Sequence, residues 1–353
     1  MIHESPASFI ERVIEQHGRQ HDVLADTRRM SVDVVTDTTT VELSLDGEQG
    51  VETFAPSGHM LGQMATDLGI PKRYFDRMRD DAPELFKRNV HHWLYEEPKK
   101  RMIRSYKTTD TTNTGRAWLS DRYRRLDNIE IATKLLPEFE RLPSEAVFHN
   151  ASISDERLYV RAVFPKMEAE VKVGAPVQWG VQIRNSEVGA ATFAIESFLL
   201  VLACTNGMVV DKVMNTRHIG KRLNDVLSDE AVKADDHAFW LAARDTLRAS
   251  IDEAAFESVI ATLREATEGE KITSPIAATK RLASTFSLSD EEHEAVLLNL
   301  ANGGDMSRWG ALNAVTATAH TVKSFDRGVE LEEMGWTIAE LSRRDWDKIA
   351  VAA

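Results

Sequence analysis

Residues 176–207, PVQWGVQIRNSEVGAATFAIESFLLVLACTNG, constrain the fold more than any other stretch of the chain. They open as an alternation. Val177, Trp179, Val181 and Ile183 fall on one side and Gln178, Gly180, Gln182 and Arg184 on the other, the period of a half-buried strand. The pattern breaks at Asn185-Ser186-Glu187, with Gly189 just beyond. From Ala190 to Cys204 almost every residue is apolar, and Glu196 is the single charge. This run predicts a helix buried nearly all round, stopped by Thr205-Asn206-Gly207. At about 15 residues it is too short to span a bilayer. A strand feeding a buried helix places the core here.

Three more strand patterns lie upstream: AVFHNASIS, RLYVRAVFP and, before them, Arg116-Ala-Trp-Leu. Between these, Asn128 precedes the helical IEIATKLLPEF. The central region, 111–225, therefore reads as an antiparallel β-meander with a helix packed on it, an α+β design. The N-terminal region, 1–110, reads as α/β. A polar helical arm covers 1–30; strands follow in SVDVV, TVELSL and VETF, with a hairpin signal at Asp46-Gly47. A helical stretch then runs from Ser57 to Glu97, and RMIRSYK is a further strand candidate before a polar loop at 111–115. The C-terminal region, 226–353, is acidic and all-helical, with helices near 229–249, 252–267, 274–286, 290–302 and 307–323. Ser274-Pro275 marks one helix start, and Ser289 with Glu292 a capping box.

Charge separates the regions further. The chain carries a net −13, yet between Pro71 and Arg125 fifteen cations face eight acids, a local +7 that leaves −20 for the remainder. Aromatic residues are interleaved: Tyr74, Phe75, Trp93, Tyr95, Tyr106, Trp118 and Tyr123. Cations for phosphates and flat rings for bases are the ingredients of a single-strand groove. The nucleic-acid-binding candidates are Lys72, Arg73, Arg77, Lys99, Lys100, Arg101, Arg104, Arg116, Trp118, Arg122, Tyr123, Arg124 and Arg125, with Trp118 and Tyr123 as the stacking rings. The competing reading is a solvated surface whose arginines pair with the acidic helices. Within the belt, residues 61–80 fit a helix-turn-helix: Ala65 at the crossing, Gly69 at the turn, and Met64, Leu68, Ile70, Phe75 and Met78 in buried positions. Its alternative is plain helical packing.

Other chemistry is weaker. Free amides at 185–189 would receive a phosphate, but Ser186 caps them and Glu187 repels an anion there. Cys204 and His218 lack the partners of a metal or thiol site, and Cys204 reads as inert packing. With a single cysteine the chain forms no intrachain disulfide. There is no P-loop and no nucleophile elbow. No cofactor and no metal are expected. The first residues lack an apolar signal core, so a cytoplasmic protein is expected.

The motifs LSDRYRRLDN (119–128), RNSEVG (184–189), CTNGMV (204–209), RHIG (217–220) and SRWGALNAVTATAH (307–320) together resemble an uncharacterised phage- and plasmid-borne family, a domain of unknown function. The likeness runs from about Phe54 to His320. It implies a mobile-element protein of the bacterial host cytoplasm, in phage replication or recombination. The order helix, three strands, helix also resembles the single-strand annealing proteins of the Rad fifty-two type. That resemblance implies homo-oligomers, single-stranded DNA as the partner, and phage or host recombination proteins as further partners. The expected function is a non-enzymatic, phage-type single-stranded DNA-binding and annealing protein that hydrolyses no nucleotide. The alternatives are a helix-turn-helix regulator on duplex DNA, and a phage protein that binds a host protein and no nucleic acid.

Overall fold

In the computed structural model the described residues are 6–35, 40–47, 50–108, 112–142, 145–216 and 229–351. The RHIG motif at 217–220, the tip of the Asp46-Gly47 hairpin at 48–49, and Thr111 of the polar loop lie outside them. The chain begins with α1 (Pro6–Arg19), then β1 (Gln20–Asp26), β2 (Met30–Val35), β3 (Thr40–Gly47) and β4 (Gly50–Pro56). The arm expected to be helical to residue 30 thus turns into a strand at Gln20. Three helices follow: α2 (Gly58–Asp67), α3 (Lys72–Asp81) and α4 (Pro83–Glu96). Strands β5 (Lys100–Tyr106) and β6 (Thr112–Ser120) complete a six-stranded sheet of order β1-β5-β6-β4-β3-β2. Residues 112–115, read as loop, belong to β6, and β5 and β6 pair with each other across the 110/111 boundary.

The apolar face of this sheet is covered by the three helices. Val32, Leu43, Phe54, Ile103 and Trp118 meet Met60, Met64, Phe75, Phe86 and Val90 in one cluster. The sheet edge at β2 is closed by α4. His91 Nε2 accepts the Val32 N–H at 2.9 Å, satisfying a donor that an open edge would offer to another chain.

A helical segment links the sheets: α5 (Asn128–Glu130), a π-turn at Ile131–Leu135, and α6 (Leu136–Phe139). The second sheet is an antiparallel meander of β7 (Val147–Ile153), β8 (Leu158–Glu170), β9 (Pro176–Asn185), β10 (Phe193–Val201) and β11 (Asn206–Thr216), in the order β11-β10-β9-β8-β7. The mixed α+β class with an antiparallel central sheet holds. The helix expected at 190–204 does not: it is β10, paired on both sides, and all nine of its residues are buried. Phe193, Ile195, Leu199 and Val201 face the main core with Trp179 and Val181. Phe198 and Leu200 face a second cluster with Tyr159, Val163 and Val329. A strand apolar on both faces loses its visible alternation and cannot be told from a buried helix by periodicity.

The C-terminal helices are α7 (Asp229–Ala249), α8 (Glu253–Thr267), α9 (Pro275–Phe286), α10 (Asp290–Gly303), α11 (Arg308–Thr318), α12 (Phe325–Ala339) and α13 (Arg343–Ala350). The Ser289/Glu292 capping box and the Ser274 cap form as read, and Gly304 ends α10 in the left-handed region. Phe239, Trp240, Phe256 and Leu312 share the main core with β7–β11. The opposite face of the meander is held by α12 through buried charge. Arg161 pairs with Glu332, each side chain only 1% exposed, and Arg161 Nε donates to Gln182 Oε1 at 2.6 Å. Gln182 in turn donates to Glu196, so one polar ladder crosses β8, β9 and β10.

Candidate nucleic-acid interface

The helical pair expected at 61–80 is present. Ser57 Oγ accepts the Met60 N–H and starts α2. Gly69 adopts φ +66°, a left-handed conformation that costs glycine little, and the Ile70 N–H returns to the Ala65 carbonyl at 2.9 Å. Pro71 then breaks the path, and its carbonyl accepts from Tyr74 and Phe75 as α3 begins. Phe75 and Met78 turn inward, while Met64, Ala65 and Ile70 are buried beneath. The helical period therefore sends Lys72, Arg73, Tyr74 and Arg77 outward. Arg77 is 76% exposed and lies 3.7 Å from Asp81; Lys72 pairs with Asp76; Tyr74 is 44% exposed. Arg73 is exposed and has no ion pair among the described residues.

The rest of the belt divides. Lys100 and Arg122 are exposed, and Arg125 is mostly exposed, 3.6 Å from Asp22. Lys99 lies between Asp67 and Glu97. Arg101 donates to both oxygens of Asp67, and Oδ2 also accepts the Trp118 indole N–H at 2.9 Å. Burial alone would raise the Asp67 pKa; the hydrogen bonds from Arg101 and Trp118 outweigh it and hold the carboxyl below its ordinary value. Arg124 is taken by Asp235 and Asp236 of α7 and stacks over Phe239. This is the pairing with acidic helices that was the competing reading of the belt.

Arg104, Arg116 and Trp118 need correction as surface contacts. Arg104 is fully buried between Asp22 and Asp127 and also donates to the Glu187 carbonyl. Arg116 is bound to Glu187 at 3.0 Å and lies over the Tyr106 ring. Trp118 is 3% exposed inside the N-terminal core. A base has no free face of this ring to stack on. Tyr123 is half-buried, its hydroxyl donating to the Ser186 carbonyl, and burial pushes its pKa well up.

The RNSEVG loop explains this burial. Glu187, read as a group that would repel an anion, is itself the anion of the junction between the two sheets. It accepts from Gln20, Arg116 and the Asn128 N–H. Ser186 Oγ accepts the Val188 and Ala190 amides, as a cap would, though no helix follows. The Val188 carbonyl accepts from Gln63, and His59 Nε2 lies 2.9 Å from it, so α2 is tied to the loop. The carboxylates that neutralise the belt, Asp22, Asp67, Asp127 and Glu187, are scattered in sequence. The only hint of them was the −20 carried outside the belt.

The outer face of α2 borders an open groove of about 580 Å³ lined by His59, Gly62, Gln63, Asp67 and Arg101. Its cation is already neutralised by Asp67, so the groove offers a phosphate little. Cys204 lies not in a helix but in the exposed turn between β10 and β11, and desolvation of its sulfur raises the thiol pKa. No helix among the described residues is long and apolar enough to cross a membrane. Comparison with protein-family models, with curated proteins and with solved structures finds no match to this chain.

Proposed function

We propose that the chain is a non-enzymatic nucleic-acid-binding protein whose contact surface is the outward face of α3, presented by the α2–turn–α3 pair. The carrying observation is the orientation of that helix: Phe75 and Met78 are buried while Lys72, Arg73, Tyr74 and Arg77 face out. A helix held by its partner with cations outward is the form that enters a major groove. Phosphate contacts from three side chains supply modest affinity, since Asp76, Asp80 and Asp81 share the helix. The Lys72–Asp76 and Arg77–Asp81 pairs of α3 are open to water and weak, but the reading departs from the whole-belt groove because Arg101, Arg104, Arg116 and Arg124 are largely buried against the protein's own carboxylates. A phosphate would have to displace each of them.

Single-stranded DNA is the second reading, and Tyr74 favours it: an exposed ring between cations offers a base a face to stack on. Annealing in the Rad fifty-two manner loses one support, since the helix that completed that likeness is β10. Replacing Arg73 and Arg77 by Ala tests the surface. The expected result is weakened oligonucleotide binding with an unchanged melting temperature. Undiminished binding by that variant would move the interface elsewhere.

A further inference from the structure

Two motifs singled out in the sequence, CTNGMV and SRWGALNAVTATAH, converge away from α3. The turn between β10 and β11 meets the end of α10 and the first turns of α11, enclosing a pocket of about 330 Å³. Its walls are apolar: Val201, Ala203, Leu300, Trp309 and Ala314. The backbones approach closely, and glycine is required for it. A Cβ on Gly310 would lie 1.8 Å from the Asp305 carbonyl oxygen. At the turn itself, Thr205 is held at φ +54°, an unusual conformation for a β-branched residue.

The polar groups of this pocket are amides. Asn299 is fixed by its NH₂ group, which donates to the Ala314 carbonyl and to Thr318 Oγ1, both at 3.2 Å. Asn313 is fixed in the same way by the Trp309 carbonyl at 2.8 Å. Each is left with its Oδ1 as an acceptor. Asn313 Oδ1 accepts from the Cys204 thiol at 4.0 Å, a long contact from a weak donor. Asn302 stands exposed at the mouth. The two charges of the lining, Lys172 and Asp305, are paired at 2.5 Å, so the pocket offers no net charge to an ion.

A small neutral pocket with apolar walls and two preset acceptors selects a flat, uncharged ligand bearing N–H donors. We propose that it binds a nucleobase with an exocyclic amino group, whose N–H groups are accepted by Asn299 and Asn313. Adenine and cytosine carry such a group; uracil offers one ring N–H and two carbonyls that face the same acceptors unfavourably. The base comes either as a free nucleoside or as part of a single strand. This inference does not rest on the α3 surface.

Cys204 is the only cysteine of the chain and lines the pocket, so its alkylation reports occupancy. The intact protein is treated with N-ethylmaleimide in the presence of adenosine, cytidine or uridine, and of short adenine or uracil oligonucleotides. Adenosine and cytidine are expected to slow the reaction, by about elevenfold at ten times Kd, while uridine does not. Protection by the adenine oligonucleotide alone assigns the base to a strand; protection by free adenosine assigns it to a nucleoside. Asn313→Leu is expected to abolish protection. No protection by any of these at millimolar concentration, equal protection by uridine, or full protection in a folded Asn313→Leu protein would overturn the proposal. Should that variant fail to fold, the comparison of adenosine with uridine on the wild-type protein decides alone.

Discussion

Replacing Glu332 by Gln removes one charge from the pair that binds α12 to the meander. Both partners are buried to 1% exposure, so neither is screened by water. Arg161 keeps its hydrogen bond to Gln182 and lies over the rings of Phe198 at 4.6 Å and Phe325 at 5.3 Å. None of these neutralises the guanidinium. Glu196 is committed to Arg184, at 3.0 Å, and to Gln182. Removing one partner of a buried pair strands the other, at a cost of about 3–5 kcal/mol. That is a large part of the roughly 5–15 kcal/mol that holds a domain folded. Urea unfolding followed by tryptophan fluorescence reads the loss, since Trp179 and Trp240 sit in the core that α12 joins. The double substitution Arg161→Met with Glu332→Leu is expected to recover most of it, because two apolar side chains leave no stranded charge. A loss below about 1 kcal/mol for Glu332→Gln, or a double variant no more stable than the single, would refute the reasoning.

Three further outcomes follow from the same packing. Leu199→Asp puts a carboxylate into the main core at a site with no exposure, and is expected to abolish cooperative melting; a near-normal midpoint would contradict it. Trp118→Ala is expected to cost about 3–5 kcal/mol of stability with no direct effect on oligonucleotide affinity, measured by thermal melting alongside binding. His91 has its pKa lowered by desolvation and then by Lys87, and its Nε2 must stay unprotonated to accept the Val32 N–H. A depressed histidine stabilises the fold above its unfolded pKa near 6.5 and loses that contribution as pH falls through the folded value. The urea midpoint should therefore drop between about pH 7.5 and pH 5 more steeply in wild type than in His91→Gln. Equal slopes would remove His91 from the pH response.

How much of this was legible in the sequence depends on whether neighbours in space are neighbours in the chain. The α2–turn–α3 pair was, because Ala65, Gly69 and the period of Met64, Phe75 and Met78 are local signals. So were β9 and the caps of α9 and α10. Strand β10 was not, since its second face is apolar only because Val163, Val209 and Val329 cover it. Trp118 alternates with Leu119 and so had to choose a side, but the choice of the core came from Asp67 and Gln63 on α2. The burial of Arg104 and Arg116 was invisible, because Glu187 is 83 and 71 residues away from them. A cation next to a distant carboxylate looks, in sequence, the same as a cation next to water.

The salt dependence of oligonucleotide binding tests the central claim most directly. With Lys72, Arg73 and Arg77 as the phosphate contacts, log affinity for a duplex should fall against log salt with a slope of roughly −2.7. Between about 50 and 200 mM salt that is about a fortyfold loss; a single strand with the same contacts loses roughly eighteenfold. Arg73→Ala with Arg77→Ala leaves one contact and flattens the duplex loss to about threefold. Labelled duplex and single-stranded oligonucleotides that stay unbound by the wild-type protein at low salt would contradict the account, as would a slope that the double substitution leaves unchanged.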